Sequence, residues 1–333
     1  MCRVVSFVTT SVLILLLTLP ARGQAHRIEN EYKLTVPREL TEAVWQHLET
    51  RYRDVEAFLA PYGGTFTVSF ADEHFRDQYF DTPDLDMLRM HGGVRHRMRS
   101  IVGADESNRK HGRELIHIKL NRPDDLIVNR SEYKFPVRAS RRIRDYGDAH
   151  PVMGLIKRGS RAAFRRQMAV LGVSVNELRP SLLIEQRRRR VYLSRDHAPF
   201  ATITLDEVST SHWGKKVAFT EIELELNENA YTDADAAHRD AMQAVNDALK
   251  RDLMQAFPML RQDQTPKYNK AFNALAQEFI YFPAAFRLGM PFELLGAGCG
   301  ATMLGVGVVS WRRRRRGEHN GSPSLTALPH PGT

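Results

Sequence analysis

The sequence predicts a mostly antiparallel α+β domain: a closed β-tunnel of about eight strands, with helices packed outside it. Three observations predict this. Nine segments alternate with a period of two, at 28–35, 66–70, 77–80, 93–101, 114–120, 128–137, 182–193, 200–208 and 218–227, as half-buried strands do. Few helices lie between them. On four of these strands the polar positions are almost wholly charged, and a closed barrel has an interior that such faces can line around one small ligand.

The helices follow from periodicity. Pro37 sits in the first turn of a helix to which Leu40, Val44, Leu48, Val55 and Leu59 give an apolar face, ending near Leu59. Residues 149–170 and 233–256 read as helical for the same reason.

The two ends read differently. Arg3, an apolar run from Val4 to Leu19, Pro20 and the small-residue ending Gly23-Gln24-Ala25 form the pattern of a secretory signal peptide at 1–25, with an uncleaved anchor as the alternative. Leu294 to Trp311 is an eighteen-residue stretch without charge, followed by Arg312 to Arg316. That is about the minimum to span a bilayer, and the arginine run marks the cytoplasmic side; a buried helix followed by a solvated tail is the alternative. The expected organisation is an exported domain at 26–280 on the periplasmic or extracellular face, a linker at 281–293, a transmembrane helix at 294–311 and a basic, disordered tail at 312–333.

The formal charge of +9 resembles a nucleic-acid signal until it is located. The ends hold seven of the 48 basic residues and one of the 39 acids, leaving 41 against 38 between them. Any basic site in the domain must therefore be local. Aromatic residues fall on the apolar faces and do not interleave with the basic ones, which argues against nucleic acid as a partner. Cys2 and Cys299 lie in the end segments, so the domain has no disulfide, no thiol metal ligand and no cysteine nucleophile.

The chemistry resides in the charged faces. Glu29, Glu31 and Lys33 share one face of the first strand; Arg95, Arg97 and Arg99 share another; Arg130, Glu132 and Lys134 a third; Glu221, Glu223 and Glu225 a fourth. Like charges two residues apart repel, and ions of opposite sign make them tolerable. Clustered carboxylates without cysteine suit a hard cation, Mg²⁺ or Mn²⁺. Arginine matches phosphate oxygens as a fork and lysine adds point charge. Together they point to a metal–phosphate complex. His91, His96 and His117 read as structural.

Glu29-x-Glu31-x-Lys33 resembles the ExExK signature of the triphosphate tunnel metalloenzymes, the CYTH superfamily. Further segments follow in that superfamily's order: Tyr79 to Leu85 resembles its YYDTPDL segment, Val94 to Arg97 its LRIR strand, and Ile116 to Lys119 its TLK strand. Arg130-Ser131-Glu132, Thr204 to Glu207, the Glu221, Glu223 and Glu225 strand, and Lys267-Tyr268 in place of a terminal SKY complete a resemblance spanning about residues 28–272. It implies that Glu29, Glu31, Asp206, Glu221, Glu223 and Glu225 lie on the metal side. It also implies that Lys33, Arg95, Arg97, Lys119, Arg130, Arg189 and Lys267 face phosphates, with Glu29, Glu31 and Lys33 at the catalytic centre. Arg187 to Arg190 followed by Tyr192 is similar to the arginine strand of the vacuolar transporter chaperone polyphosphate polymerase domain, although four consecutive arginines point both ways. Thr202 stands where polymerase-type sequences carry Arg, and Thr265-Pro266 where a Ser precedes the lysine.

The function expected from this is a metal-dependent phosphohydrolase acting on inorganic triphosphate, polyphosphate or a nucleoside triphosphate. Two alternatives stay open: a polyphosphate polymerase of the vacuolar transporter chaperone type, and a non-catalytic polyphosphate-binding receptor. Export favours the hydrolase, which needs only substrate and water, whereas a polymerase consumes nucleotide and wants a channel that one span does not supply.

Overall fold

The structure is a computed structural model that describes residues 25–101, 114–120, 128–138, 152–212 and 215–278, all within the first of the two units into which the chain divides, Met1–Arg287. β1 (Ala25–Val36) leads through a 3-10 turn at Arg38–Leu40 into α1 (Thr41–Arg53) and α2 (Val55–Leu59). The single helix expected here is broken at Asp54, whose φ of -111° and ψ of 54° are not helical. β2 (Phe66–Asp81) is followed by α3 (Asp86–Arg89), β3 (Gly93–Ile101), β4 (Glu114–Leu120) and β5 (Val128–Pro136). α4 (Val152–Leu155) and α5 (Arg161–Val170) replace the continuous helix expected over 149–170, with a 3-10 turn at Arg158–Ser160 between them. Three long strands come next, β6 (Arg179–Arg195), β7 (Ala198–His212) and β8 (Lys215–Leu226), then α6 (Glu228–Asp233), α7 (Ala236–Ala256), the short β9 (Arg261–Gln262) and α8 (Lys267–Glu278). Asp235 starts α7 as its N-cap, its carboxylate accepting from the His238 N–H and satisfying a donor that the helix leaves open.

β2 runs through residues 71–76, which the alternation did not mark as strand. The reason is that the buried Glu73 interrupts the inner face between Ala71 and Phe75. Asp72 pairs with Arg187 on the other face, and with a charged residue at the centre of the inner face the hydropathy alternation is lost there.

All neighbours are antiparallel, in the order β5-β4-β3-β2-β6-β7-β8-β1-β9, and β5 additionally pairs with β1. β1 is shared lengthwise: Ala25 to Glu31 pairs with β5, and Glu31 to Val36 with β8. Each of the eight long strands therefore has a hydrogen-bonded neighbour on both sides.

The apolar cores lie on one face of this sheet. Tyr32, Leu34, Val191, Leu205, Ile222 and Leu224 pack under α1, α2 and α7 through Val44, Leu48, Leu59, Val245 and Leu249. Val94, Ile116, Ile118 and Phe135 pack under α3, α4 and α5 through Met87, Leu155, Phe164 and Met168. The alternate positions of the same strands carry buried charge: Glu29, Lys33, Asp77, Arg95, Glu132, Arg188 and Glu223.

Among the described residues no helix is long and apolar enough to cross a membrane. The segments read as signal peptide, linker, transmembrane helix and basic tail lie outside the described residues, apart from Ala25, which begins β1.

Leu34 has no exposed surface and points away from the charged face. Leu34→Ala is expected to cost about 2–5 kcal/mol, seen as a lower urea midpoint at unchanged m-value, with the charged face undisturbed.

Candidate functional site

Strand register brings the charged side chains together. Across β1 and β8, Glu31 stands opposite Glu225 and Lys33 opposite Glu223. Across β2 and β3, Asp77 stands opposite Arg97 and Tyr79 opposite Arg95. Lys119 faces Glu132 and His117 faces Lys134 across β4 and β5, and Arg188 faces Asp206 across β6 and β7. A cavity of about 220 Å³ is lined by these groups from β1, β3 to β6, and β8, together with Tyr79, His91 to Gly93 and Pro266 to Tyr268.

The charges fall into three groups. In the first, carboxylate oxygens of Asp206, Glu221 and Glu223 lie within 4.8 Å of one another. The ammonium of Lys267 sits among them, at 2.8, 2.7 and 2.5 Å. Lys33 approaches Glu221 at 3.6 Å and Glu223 at 3.4 Å. Arg188 donates to Asp206 at 2.6 Å and to Glu223 at 2.7 Å. Burial favours the neutral acid, but Lys267, Lys33 and Lys270 outweigh it and push Glu221 down to about 2; Glu223 is likewise held well below the carboxylate range. This group is neutralised from within.

The second group is not. Glu29 receives Lys119 at 2.7 and 2.9 Å, yet burial and the nearby Glu132, Glu225 and Glu31 push its carboxyl up to about 8. Glu225 is pushed up to about 7 by burial, Glu31, Glu223 and Glu132, against Lys119. The chemistry of this donor set, hard carboxylates with too little positive charge among them, suits a divalent cation.

The third group is basic. Asp77 accepts from Arg97 at 2.8 and 2.6 Å and from Arg95 at 3.2 Å. Arg97 also lies over the Phe75 ring, 4.4 Å from its centroid. Arg190 is short of counter-charge: burial and Arg188 lower its pKa, and Glu73 stands 3.5 Å away.

The Asp81-Thr82-Pro83-Asp84-Leu85 segment fixes α8 to this cavity. The Asp81 carboxylate accepts from the backbone N–H groups of Thr82, Met87 and Leu88 at 2.8, 2.9 and 3.0 Å, as at any helix start. Leu85 has a φ of 61°, a left-handed turn that aims the chain so that those N–H groups converge. Asp81 also accepts from the Tyr268 hydroxyl at 2.9 Å, and Tyr268 stacks on Tyr79 with centroids 4.7 Å apart. With Tyr268 held, its neighbour Lys267 reaches the three carboxylates.

Of the residues singled out in the sequence, Glu29, Glu31, Lys33, Arg95, Arg97, Lys119, Glu223, Glu225 and Lys267 line the cavity, and Asp206 and Glu221 lie against Lys267. Arg130 pairs with Glu29 through its backbone; its side chain lies outside the described residues. Arg189 is a correction. It points to the other face, where it binds Glu42 at 2.8 Å and Glu207 at 3.2 Å and covers Trp45. Arg188 and Arg190 line the cavity instead. The parity was legible, because Arg189 alternates with Val191 and Leu193, both buried in the apolar core. His117 and His91 also line the cavity, whereas His96 is buried away from it near Glu114 at 3.3 Å.

The profile of the CYTH domain family matches residues 49–251. Among solved structures, the chain is similar to a candidate adenylate cyclase of Bacillus halodurans, at 15% identity over 76% of this chain and 98% of that one, with a TM-score of 0.42. It is similar to a candidate adenylyl cyclase of Hippeastrum described as having a dominant triphosphatase activity, at 18% identity over 80% and 99%, with a TM-score of 0.41. A Mimivirus capping-enzyme triphosphatase matches at 10% identity over 74% and 98%, with a TM-score of 0.34. No curated protein sequence matches the chain.

Asp77 supplies a test of the basic group. Burial raises its pKa, but Arg97 and Arg95 outweigh that and hold the carboxyl below its ordinary range. A folded pKa below the unfolded one, about 3.9, means stability present above that value and lost as pH falls through the folded pKa. Asp77→Asn is expected to cost about 3–5 kcal/mol at pH 7, since the buried Arg95 and the largely buried Arg97 lose this anion. In denaturant titrations the gap from wild type should narrow below about pH 4.

Proposed function

The chain belongs to the CYTH domain family, and on that premise we propose that it is a metal-dependent phosphohydrolase for inorganic triphosphate, polyphosphate or a nucleoside triphosphate, bound in a closed tunnel. The closure is our reading of the β5–β1 pairing, which joins the first and last of the eight long strands in that order. The observation that carries the function is the meeting, in one cavity, of the acids Glu29, Glu31 and Glu225 with Arg95, Arg97, Lys119 and Arg190. A chain of phosphates with its cation is the ligand that answers both kinds of wall at once.

Glu29, Glu31 and Glu225 would hold the cation, Mg²⁺ or Mn²⁺. When bound, it supplies a Lewis acid beside the phosphoryl oxygens. Asp206, Glu221 and Glu223, with carboxylate oxygens within 4.8 Å of one another, would hold a cation in exchange for the ammonium of Lys267; Lys33 and Arg188 stand beside them. Arg95, Arg97, Lys119 and Arg190 bind and orient the phosphates and meet the charge that moves to bridging oxygen as a P–O bond opens. Lys33, between the two acid groups, keeps them from repelling each other.

The inward pair Arg188 and Arg190 favours a second reading, polyphosphate synthesis. Binding without turnover is the third. For its place in the cell, the sequence alone supports an exported domain anchored at 294–311.

The test gives the purified chain tripolyphosphate, long-chain polyphosphate and ATP, with Mg²⁺, Mn²⁺ or chelator, and records phosphate release and chain growth together. Metal-dependent release is expected, abolished by chelator and reduced about 100-fold or more by Glu29→Ala. Chain growth from ATP would establish the polymerase, and saturable binding without release the receptor. Release that survives both chelator and Glu29→Ala sinks the metal-dependent reading.

A further inference from the structure

His117 takes no part in the chemistry above, yet it lies in the cavity with only 4% of its surface exposed. It precedes Lys119 by two residues, so both side chains share the inward face of β4. Its Nδ1 lies 2.6 Å from Oε1 of Glu132. An ionised carboxylate only accepts, so the proton sits on Nδ1 and Nε2 presents a bare lone pair. Nε2 is buried and has no hydrogen-bond partner among the described residues. A buried acceptor left open in this way asks for a donor from outside the protein.

The surroundings restrict that donor. Arg95 and Arg97 from β3, Lys119 from the same strand, Lys134 and Glu132 from β5 and Asp77 from β2 surround the ring. The four cations are donors only, suited to phosphate oxygens. Glu132 is already occupied by His117, Lys134 at 2.5 Å and Lys119 at 3.7 Å, and Asp77 by the two arginines. On this wall Nε2 is the neutral acceptor. Burial, aided by Arg95 and Arg97 and opposed by Glu132, pushes the ring down to about 4, so it is unprotonated at neutral pH.

We infer that His117, oriented by Glu132, takes the proton from the water that attacks the terminal phosphorus; this rests on the phosphohydrolase reading. The water oxygen bonds to phosphorus as the terminal P–O–P bridge opens, and the electron pair of the broken bond stays on the leaving phosphate. The water proton passes to Nε2, and Glu132 meets the charge of the resulting imidazolium. Loss of that proton to product or solvent restores the ring. Glu132 is a positioning residue.

The full chain is assayed on tripolyphosphate with Mg²⁺ at pH 7. His117→Gln is expected to lower kcat by about 10²- to 10⁴-fold with KM within about threefold of wild type, the split of an interaction made only in the transition state. His117→Gly is expected to regain rate with added imidazole, in proportion to its unprotonated fraction, which a structural histidine would not do. A His117→Gln enzyme with kcat within about threefold of wild type, or a folded His117→Gly that ignores imidazole, overturns the inference. If His117→Gly does not fold, the kcat and KM of His117→Gln decide. Failure of the hydrolase reading looks different: the wild type itself then releases no phosphate, and both readings fall.

Discussion

A charge withdrawn from water must find an opposite charge nearby, and the described structure is organised by that rule. On the charged face of the sheet it is obeyed unevenly. Asp206, Glu221 and Glu223 are met by Lys267, Lys33 and Arg188, which locks that region into one arrangement. Glu29 and Glu225 are met mainly by Lys119, which does not offset their mutual repulsion. The balanced region holds the cavity's shape. The unbalanced one is where the proposed cation would bind, and Arg190, whose pKa is lowered by burial and Arg188, lines the same cavity.

This asymmetry depends on parts far apart in the chain. Lys267 is delivered by α8, and α8 is held by a carboxylate on the turn after β2, through the Tyr268 hydroxyl and the Tyr79 ring. Asp81 thus acts on the cavity at second hand. It gathers three backbone N–H groups and one hydroxyl, and so helps to seat the helix that carries the ammonium neutralising the acid cluster.

Much of this was legible in the sequence, and the failures have physical causes. β3, β4 and β5 were readable almost to the residue, because apolar Val94, Ile116, Ile118 and Phe135 alternate with charge. The middle of β2 is not, since the buried Glu73 interrupts its inner face between Ala71 and Phe75 and breaks the hydropathy period. The face carrying Glu29, Glu31, Lys33, Arg95, Arg97 and Lys119 followed from alternation alone. Arg189 faces away from the cavity because Val191 and Leu193, at the same parity, are buried in the apolar core, a pattern that the run of arginines by itself does not carry. A lone histidine carries no pattern, so His117 reads as structural in the sequence; the fold, which sets it against Glu132, reveals its company. The α8 contact depends on tertiary docking that no local period records.

The packing of apolar cores on one face of each strand and charge on the other has an evolutionary corollary. Even-numbered neighbours such as Leu34, Ile222 and Leu224 lie in the apolar core, while Lys33, Glu223 and Glu225 beside them line the cavity. Packing residues can therefore vary among apolar types while the ionic lining stays in place, whereas a change in the lining is tolerated only where each buried charge keeps a partner.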